Sequence, residues 1–296
     1  MFPMDQPADN VVDRDDWIIA EYNNLEDTRQ KIEESGDIAA VIVEGVQGGG
    51  PCIVGTHEFL QQVQASAKKV GAVFILDEVM TSRLAPGGLQ QLEDLKPDLT
   101  TMGKYLGGGL SFGAFGGRED IMAVYDPRVS TALAHSGTFN NNTLSMVAGY
   151  TGLSQVYTPE VSVEFNELGD RLRERLQELS QGTKMTVTGR GTMLGIHFLE
   201  DGEKDIKSYR DKKGTQPWGI SLFVLYPKQH PLPLFPPMIL RRSTNIATLP
   251  PDDAELRELF WYDMLENGYW LTRRVSLVLI LGTPWEDLEV SPPGRK

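Results

Sequence analysis

Apolar residues along the first half of the chain alternate between two periods, and the changes mark out its elements. Ala39-Ala40-Val41-Ile42-Val43-Glu44 is a short apolar run rich in β-branched residues that closes on an acid, the pattern of a buried strand. From Thr56 to Val70 the period becomes helical, with Phe59, Leu60, Val63 and Ala67 on one face, Thr56 as cap and Gly71 as stop. Ala72 to Leu76 is again a continuous apolar run, followed by Asp77 and Glu78. Strand, helix and strand with short joints predict a right-handed crossover and a parallel sheet. Upstream, Asn24 caps a short helix through Ile32 with acids in its first turn. Downstream, Leu99 to Met102 and Phe112 to Gly116 read as short strands, Asn142 to Tyr157 as a helix, and Val161 to Leu179 as an amphipathic helix with Phe165, Leu168, Leu172, Leu176 and Leu179 in line.

The break at Thr158-Pro159 divides the pattern into a first domain, residues 1–158, and a second, residues 159–296. The second reads as α+β: strands with a glycine turn from Met185 to Phe198, a helix from Ala254 to Glu266, and a strand from Trp270 to Leu281. Residues 217–238 fit neither period; six prolines stand among apolar residues with no polar face, and a packed domain seldom carries so long an irregular segment.

Composition narrows the classes. A chain of 296 residues, 40% of them hydrophobic, can bury a sizeable core. A formal net charge of −13 argues against broad nucleic-acid contact and against an anionic membrane surface, but not against a small anion at a local positive site. One cysteine, Cys52, cannot form an internal disulfide, so a reducing, cytoplasmic compartment is the expectation. The first residues show no secretory signal, and no apolar run reaches the ~18–20 residues of a spanning helix. His57, His135, His197 and His230 are scattered and make no metal signature.

The chemistry concentrates between Ala72 and Thr138. A buried strand that ends in Asp77 delivers a carboxylate to the crevice at the carboxyl end of an α/β sheet. Lys104, between Gly103 and Gly107-Gly108-Gly109, has the setting of an amine that attacks a carbonyl. Together they suggest an amine-forming cofactor held between an acid and a lysine. Pyridoxal phosphate needs such a lysine, a carboxylate at its ring nitrogen, an apolar side chain on its ring face, and donors for its phosphate. Val79, two residues beyond Asp77, suits the ring face if the strand stays extended. Gly137-Thr138 offers an amide and a hydroxyl to a phosphate.

Glu44, Asp77-Glu78-Val79-Met80-Thr81, Pro97 to Lys104, Gly107-Gly108-Gly109, Phe112 to Gly117 and Gly137-Thr138, in this order and spacing, resemble the class III aminotransferases, with the closest likeness to the glutamate-1-semialdehyde 2,1-aminomutase branch. The likeness covers roughly residues 15–200 and resumes at about 239–284. It implies an α/β fold, namely a partial fold-type I large domain with a mainly parallel sheet and a smaller α+β carboxyl-terminal domain. It implies a pyridoxal 5'-phosphate enzyme that moves an amino group between an amine and a carbonyl compound, or within one substrate. Lys104 then matches the Schiff-base lysine, Asp77 the pyridinium partner and Val79 the ring-packing position. Thr138 matches a threonine that reaches the phosphate of the neighbouring subunit's cofactor in a homodimer.

Other readings stand beside these. Glu44 suits a structural hydrogen bond as well as a cofactor-side role. Arg83, Arg190 and the Arg273-Arg274 pair can face a substrate carboxylate or form surface ion pairs. Gly189-Arg190-Gly191 reads as a β-turn, not a dinucleotide loop, and Asn140-Asn141-Asn142 as a turn and helix cap. Family members are longer at the front, and the Gly/Ser-Thr-Glu-Ala type phosphate loop and the outer stacking aromatic have no counterpart in this sequence. The alternative function is therefore an amino-terminally truncated, inactive aminotransferase-like protein that only dimerises or binds a partner, with 217–238 a read-through insertion. Peptide mass spectrometry of the natural protein checks the insertion. Peptides from 217–238 are expected to be missing, and their detection together with a start at Met1 removes the idea.

Overall fold

The computed structural model describes residues 18–36, 38–48 and 52–198, with the backbone of 222–223 and 276–278. The chain forms two compact units. One holds Val12–Gly45 and Gly55–Val163; the other holds Met1–Val11, Val46–Val54 and Glu164–Lys296.

The first unit is built on a four-stranded sheet in the order β1 (Ala40–Glu44), β2 (Val73–Asp77), β3 (Leu99–Gly103), β4 (Gly113–Gly117). β1, β2 and β3 run parallel, and α2 (His57–Val70) makes the crossover from β1 to β2. Thr56 caps α2 by accepting the Phe59 amide, and Gly71 ends it with φ 75°. Phe59, Leu60, Val63 and Ala67 are buried on its inner face, and Val43, Phe74 and Leu76 are buried on the strands. Alternation puts Ile42, 51% exposed, on the other face of the sheet. α1 (Leu25–Glu33), capped by Asn24, lies on α2, where Glu33 accepts from Ser66 at 2.9 Å and pairs with Lys69.

The sheet is mainly parallel, as expected, with β4 running antiparallel to β3. Only residues 104–112 join the two strands, too few for a crossover. The helix expected from Asn142 to Tyr157 is α5 (Thr143–Thr151) followed by a wide π-turn over Gly152–Val156, closed by the Tyr157 amide on the Gly152 carbonyl at 2.7 Å. Short helical turns at Thr81–Leu84 and Lys104–Gly107, with α3 (Gly88–Leu92) and α4 (Glu119–Met122), carry no long period and were not legible.

In the second unit, α6 (Pro159–Ser180) lines Phe165, Leu172 and Leu176 against a hairpin of β5 (Met185–Arg190) and β6 (Met193–Phe198). β6 also pairs with β8 (Ser276–Val278), which pairs with β7 (Leu222–Phe223). The Gly191-Thr192 turn of the hairpin is tied to α6 by the Asn166 side-chain carbonyl, which accepts from Thr192 N at 3.1 Å. The helix expected over 254–266, most of the strand over 270–281, Arg273-Arg274 and the rest of 217–238 lie outside the described residues.

Asp98 bolts the first sheet. Its Oδ2 accepts the Phe74 amide of β2 at 2.8 Å, and its Oδ1 accepts Arg118 Nη1, beyond β4, at 2.8 Å. Burial works against its charge, but Arg118 and the Phe74 amide prevail and hold the carboxyl below the usual range. A depressed carboxyl stabilises the fold above its unfolded value and loses that contribution as pH falls through the folded value. Asp98→Asn is therefore expected to cost about 1 kcal/mol near neutrality, solvent screening keeping it small. In urea denaturation at a series of pH values, the gap between variant and wild type should close below about pH 4.

Candidate active site

Asp77 closes β2, and its partners in register are Glu44 of β1 and Thr101 of β3. Residues paired across a sheet share a face, so Glu44 and Asp77 at the carboxyl ends of β1 and β2 form one row with Thr101 in the middle of β3, and Phe115 of β4 continues it. Asp77 Oδ1 accepts the Val79 amide at 2.9 Å, which curls the carboxylate over its own chain and fixes its direction. The extended geometry assumed for Val79 does not persist. The Glu78 amide still donates to Thr101 O at 2.9 Å, but the chain turns at Val79. Even so, Val79 faces the neighbouring strand: a Cβ added at Gly103 would lie 3.6 Å from Val79 Cγ1.

Lys104 leaves β3 directly after Gly103, three residues beyond Asp77's partner Thr101. At ~3.3 Å per residue, that sets a limit of about 10 Å along the strand, a span that a six-membered ring and a lysine's flexible stem can bridge. Lys104 is exposed, not enclosed by its apolar neighbours, because the strand ends are open there among the described residues. Its backbone has φ 54°, the left-handed region that a non-glycine residue occupies only when its surroundings hold it there. Tyr105 follows, packed edge-on against Tyr157 at 5.4 Å between ring centroids, with the Arg83 guanidinium 6.0 Å from its ring. Burial pushes the Tyr105 phenol up. Arg83 thus stands over this ring, and its backbone carbonyl accepts the Tyr157 hydroxyl at 2.6 Å.

Glu44 contributes through its backbone too. Its carbonyl accepts the Tyr22 hydroxyl at 2.8 Å, and burial with the nearby Glu44 charge drives that phenol far up. Gly137 and Thr138 sit on the exposed turn before α5, where Asn140 N donates to Gly137 O and Asn142 caps the helix. The described contacts do not join Thr138 to Asp77 or Lys104. Arg190 belongs to the second unit, where it lines an open recess of about 380 Å³ with Val54, Asp170, Arg173 and Gly189. No cluster able to hold a metal ion occurs among the described residues, and none of their helices is long and apolar enough to cross a membrane.

Glu78, which the sequence offered only as part of a motif, is fully buried directly behind Asp77. Its carboxylate accepts from Thr81 Oγ1, Leu89 N and Gln90 N, each at 2.9 Å, and from Gln90 Nε2 at 3.2 Å. Gly88, at φ 72°, leaves room for it, since a Cβ there would stand 2.6 Å from Oε1. The signal for this role is weak in sequence, because two of the four donors are backbone amides that any residue supplies.

A mostly parallel α/β sheet that gathers an acid, an apolar residue and a lysine at its strand ends has the architecture of a fold-type I pyridoxal-phosphate enzyme domain. The model of the family "Aminotransferase class-III" matches residues 2–239, and the chain belongs to that family. It is 45% identical over 278 residues to an uncharacterized aminotransferase of Schizosaccharomyces pombe, covering 94% of this chain and 55% of that one. It is 49% identical over 199 residues to the β-phenylalanine transaminase of Variovorax paradoxus, covering 66% and 45%. The solved structure of the Variovorax paradoxus β-phenylalanine aminotransferase superposes with a TM-score of 0.73 at 40% identity, over 90% of this chain and 53% of that one. A glutamate-1-semialdehyde 2,1-aminomutase of Clostridium kluyveri is 38% identical over 201 residues, covering 66% and 47%. Relatives thus include transaminases and aminomutases, and the family is shown while the aminomutase branch is not singled out. The chain spans about half the length of the curated relatives it matches.

Glu78→Gln places an amide among backbone N–H donors and leaves at least one of them facing another donor. It is expected to lower the unfolding free energy by about 2–3 kcal/mol, read from urea melts.

Proposed function

We propose that this chain carries the core of a pyridoxal 5'-phosphate-dependent amino-group-transferring enzyme, a transaminase or an aminomutase acting on a small amine and a carbonyl compound. The observation that carries the reading is the juxtaposition of Asp77 and Val79 with the strand end that releases Lys104. The residues fit the group. Gly103 keeps the space beside Val79 clear of a side chain, and the donor set of one amine and one oriented carboxylate suits an aldehyde-bearing pyridine ring.

Members of this family work with pyridoxal phosphate, which when bound supplies an electron sink for the charge left on a substrate carbon. Lys104 would hold it through its side-chain nitrogen, and once displaced by a substrate amine that nitrogen would carry a proton to and from the substrate carbon. Asp77 would accept a hydrogen bond from the ring nitrogen and keep it protonated, its direction set by the Val79 amide. Val79 would press on the ring face and exclude water there. Glu44, next to Asp77 in register, would add negative potential on the same side. Gly137 and Thr138 would serve the phosphate of a second subunit's site. Their exposure, and that of Phe139 at 80% and Leu144 at 71%, supports a homodimer with this face turned toward its partner. The low cysteine count supports a cytoplasmic setting.

The alternative reading is an inactive relative that dimerises or binds a partner. Titration of the purified chain with pyridoxal 5'-phosphate separates the two. The enzyme reading expects an absorbance band near ~420 nm that is abolished in Lys104→Ala, as the cofactor's electronics require. A chain that develops no band, or an equal band in Lys104→Ala, belongs to the second reading.

A further inference from the structure

The turn that carries Lys104 is seated backbone to backbone on α5. The Leu106 carbonyl oxygen occupies the place where a Cβ at Gly149 would stand, and a Cβ at Gly108 would overlap the backbone of Ala148. Gly107 is buried against Phe112. Ser145 of α5 donates through Oγ to Ser111 O at 3.1 Å, fastening the segment that follows. The Tyr105–Tyr157 contact and the Tyr157 hydroxyl on Arg83 O hold the same turn through its second residue. A left-handed lysine persists only where such packing over-determines it, since the conformation costs on the order of 1 kcal/mol.

Resting on the reading of Lys104 as the cofactor-holding lysine, the geometry points to Gly149 as a positioning residue for it. The bare Cα of Gly149 lets the 104–107 turn sit against α5, and that seat holds the Lys104 backbone at φ 54°. A methyl at 149 lifts the turn off the helix and frees the lysine backbone to relax to negative φ. A small displacement suffices, because a shift of about 1 Å at a reacting group costs up to about a hundredfold in reaction. Gly152 is a matched control on the same face: a Cβ there lies 3.9 Å from Gly108 Cα, an ordinary contact.

The test uses the full chain and two readouts. The first is hydrogen exchange at the Gly108 and Leu110 amides, which donate to Tyr105 O at 2.9 Å and Gly107 O at 3.0 Å. The second is borohydride trapping of added pyridoxal 5'-phosphate, read by peptide mass spectrometry as label on Lys104 relative to label on Lys96, a side chain 79% exposed. Gly149→Ala is expected to speed the exchange, to lower the Lys104-to-Lys96 ratio by about tenfold, and to lower the thermal midpoint of a still folded chain, because a backbone oxygen has to move. Gly152→Ala should match wild type in both. Unchanged exchange in a folded Gly149→Ala, or faster exchange with an unchanged ratio, overturns the assignment. Faster exchange in Gly149→Ala with no preferential Lys104 label in wild type upholds the seat and removes the cofactor reading instead. Should Gly149→Ala fail to fold, Ser145→Ala loosens the same seat without overlap, and it is held to the same two outcomes at a smaller amplitude.

Discussion

A carboxylate cut off from water must find its hydrogen bonds inside the protein, and Glu78 finds four of them within a dozen residues of its own chain. That requirement shapes everything around it. The chain has to turn immediately after β2 so that Thr81, Leu89 and Gln90 can converge on one side chain, and Gly88 has to lack a side chain to let them. The turn in turn ends the strand at Asp77, points the Asp77 carboxylate at the Val79 amide and brings Val79 over Gly103. The geometry of the candidate site is thus inherited from a buried side chain that lies behind it.

The lysine side of the site is organised by the opposite means, an absence of side chains. Gly103, Gly107, Gly108 and Gly149 let three backbones come within contact distance where β3, the following turn and α5 meet. Close backbone approach is rigid because peptide groups, unlike side chains, have no rotamers to yield with. An oriented acid at the end of β2 and a lysine whose backbone is firmly seated just beyond β3 are what a planar cofactor would need from this part of a fold-type I domain. The chain spans about half the length of the curated relatives it matches.

Much of this was legible in the residues. The strand–helix–strand pattern, the caps Asn24, Thr56 and Asn142, and the stop at Gly71 follow from local rules of period and backbone freedom, and the structure keeps them within a residue or two. The motif set from Glu44 to Thr138 led to the family that the match over residues 2–239 shows. Less legible were Asp98, whose partners are an amide and a guanidinium distant in sequence, and Glu78, two of whose donors are backbone amides with no local signal. The antiparallel β4 was hidden for a related reason: period two says strand, not direction.

The sequence by itself determined which segments become strands and helices and which side chains are available at the strand ends, because periodicity, capping and glycine stops act over a few residues. Only the tertiary structure decided that Glu44, Asp77 and Thr101 share a row, that Val79 abuts Gly103 after a turn rather than along a strand, and that Lys104 is exposed and left-handed on a turn seated against α5. Those facts depend on register and on the clearance between backbones far apart in sequence, and such distances are fixed only when the elements pack.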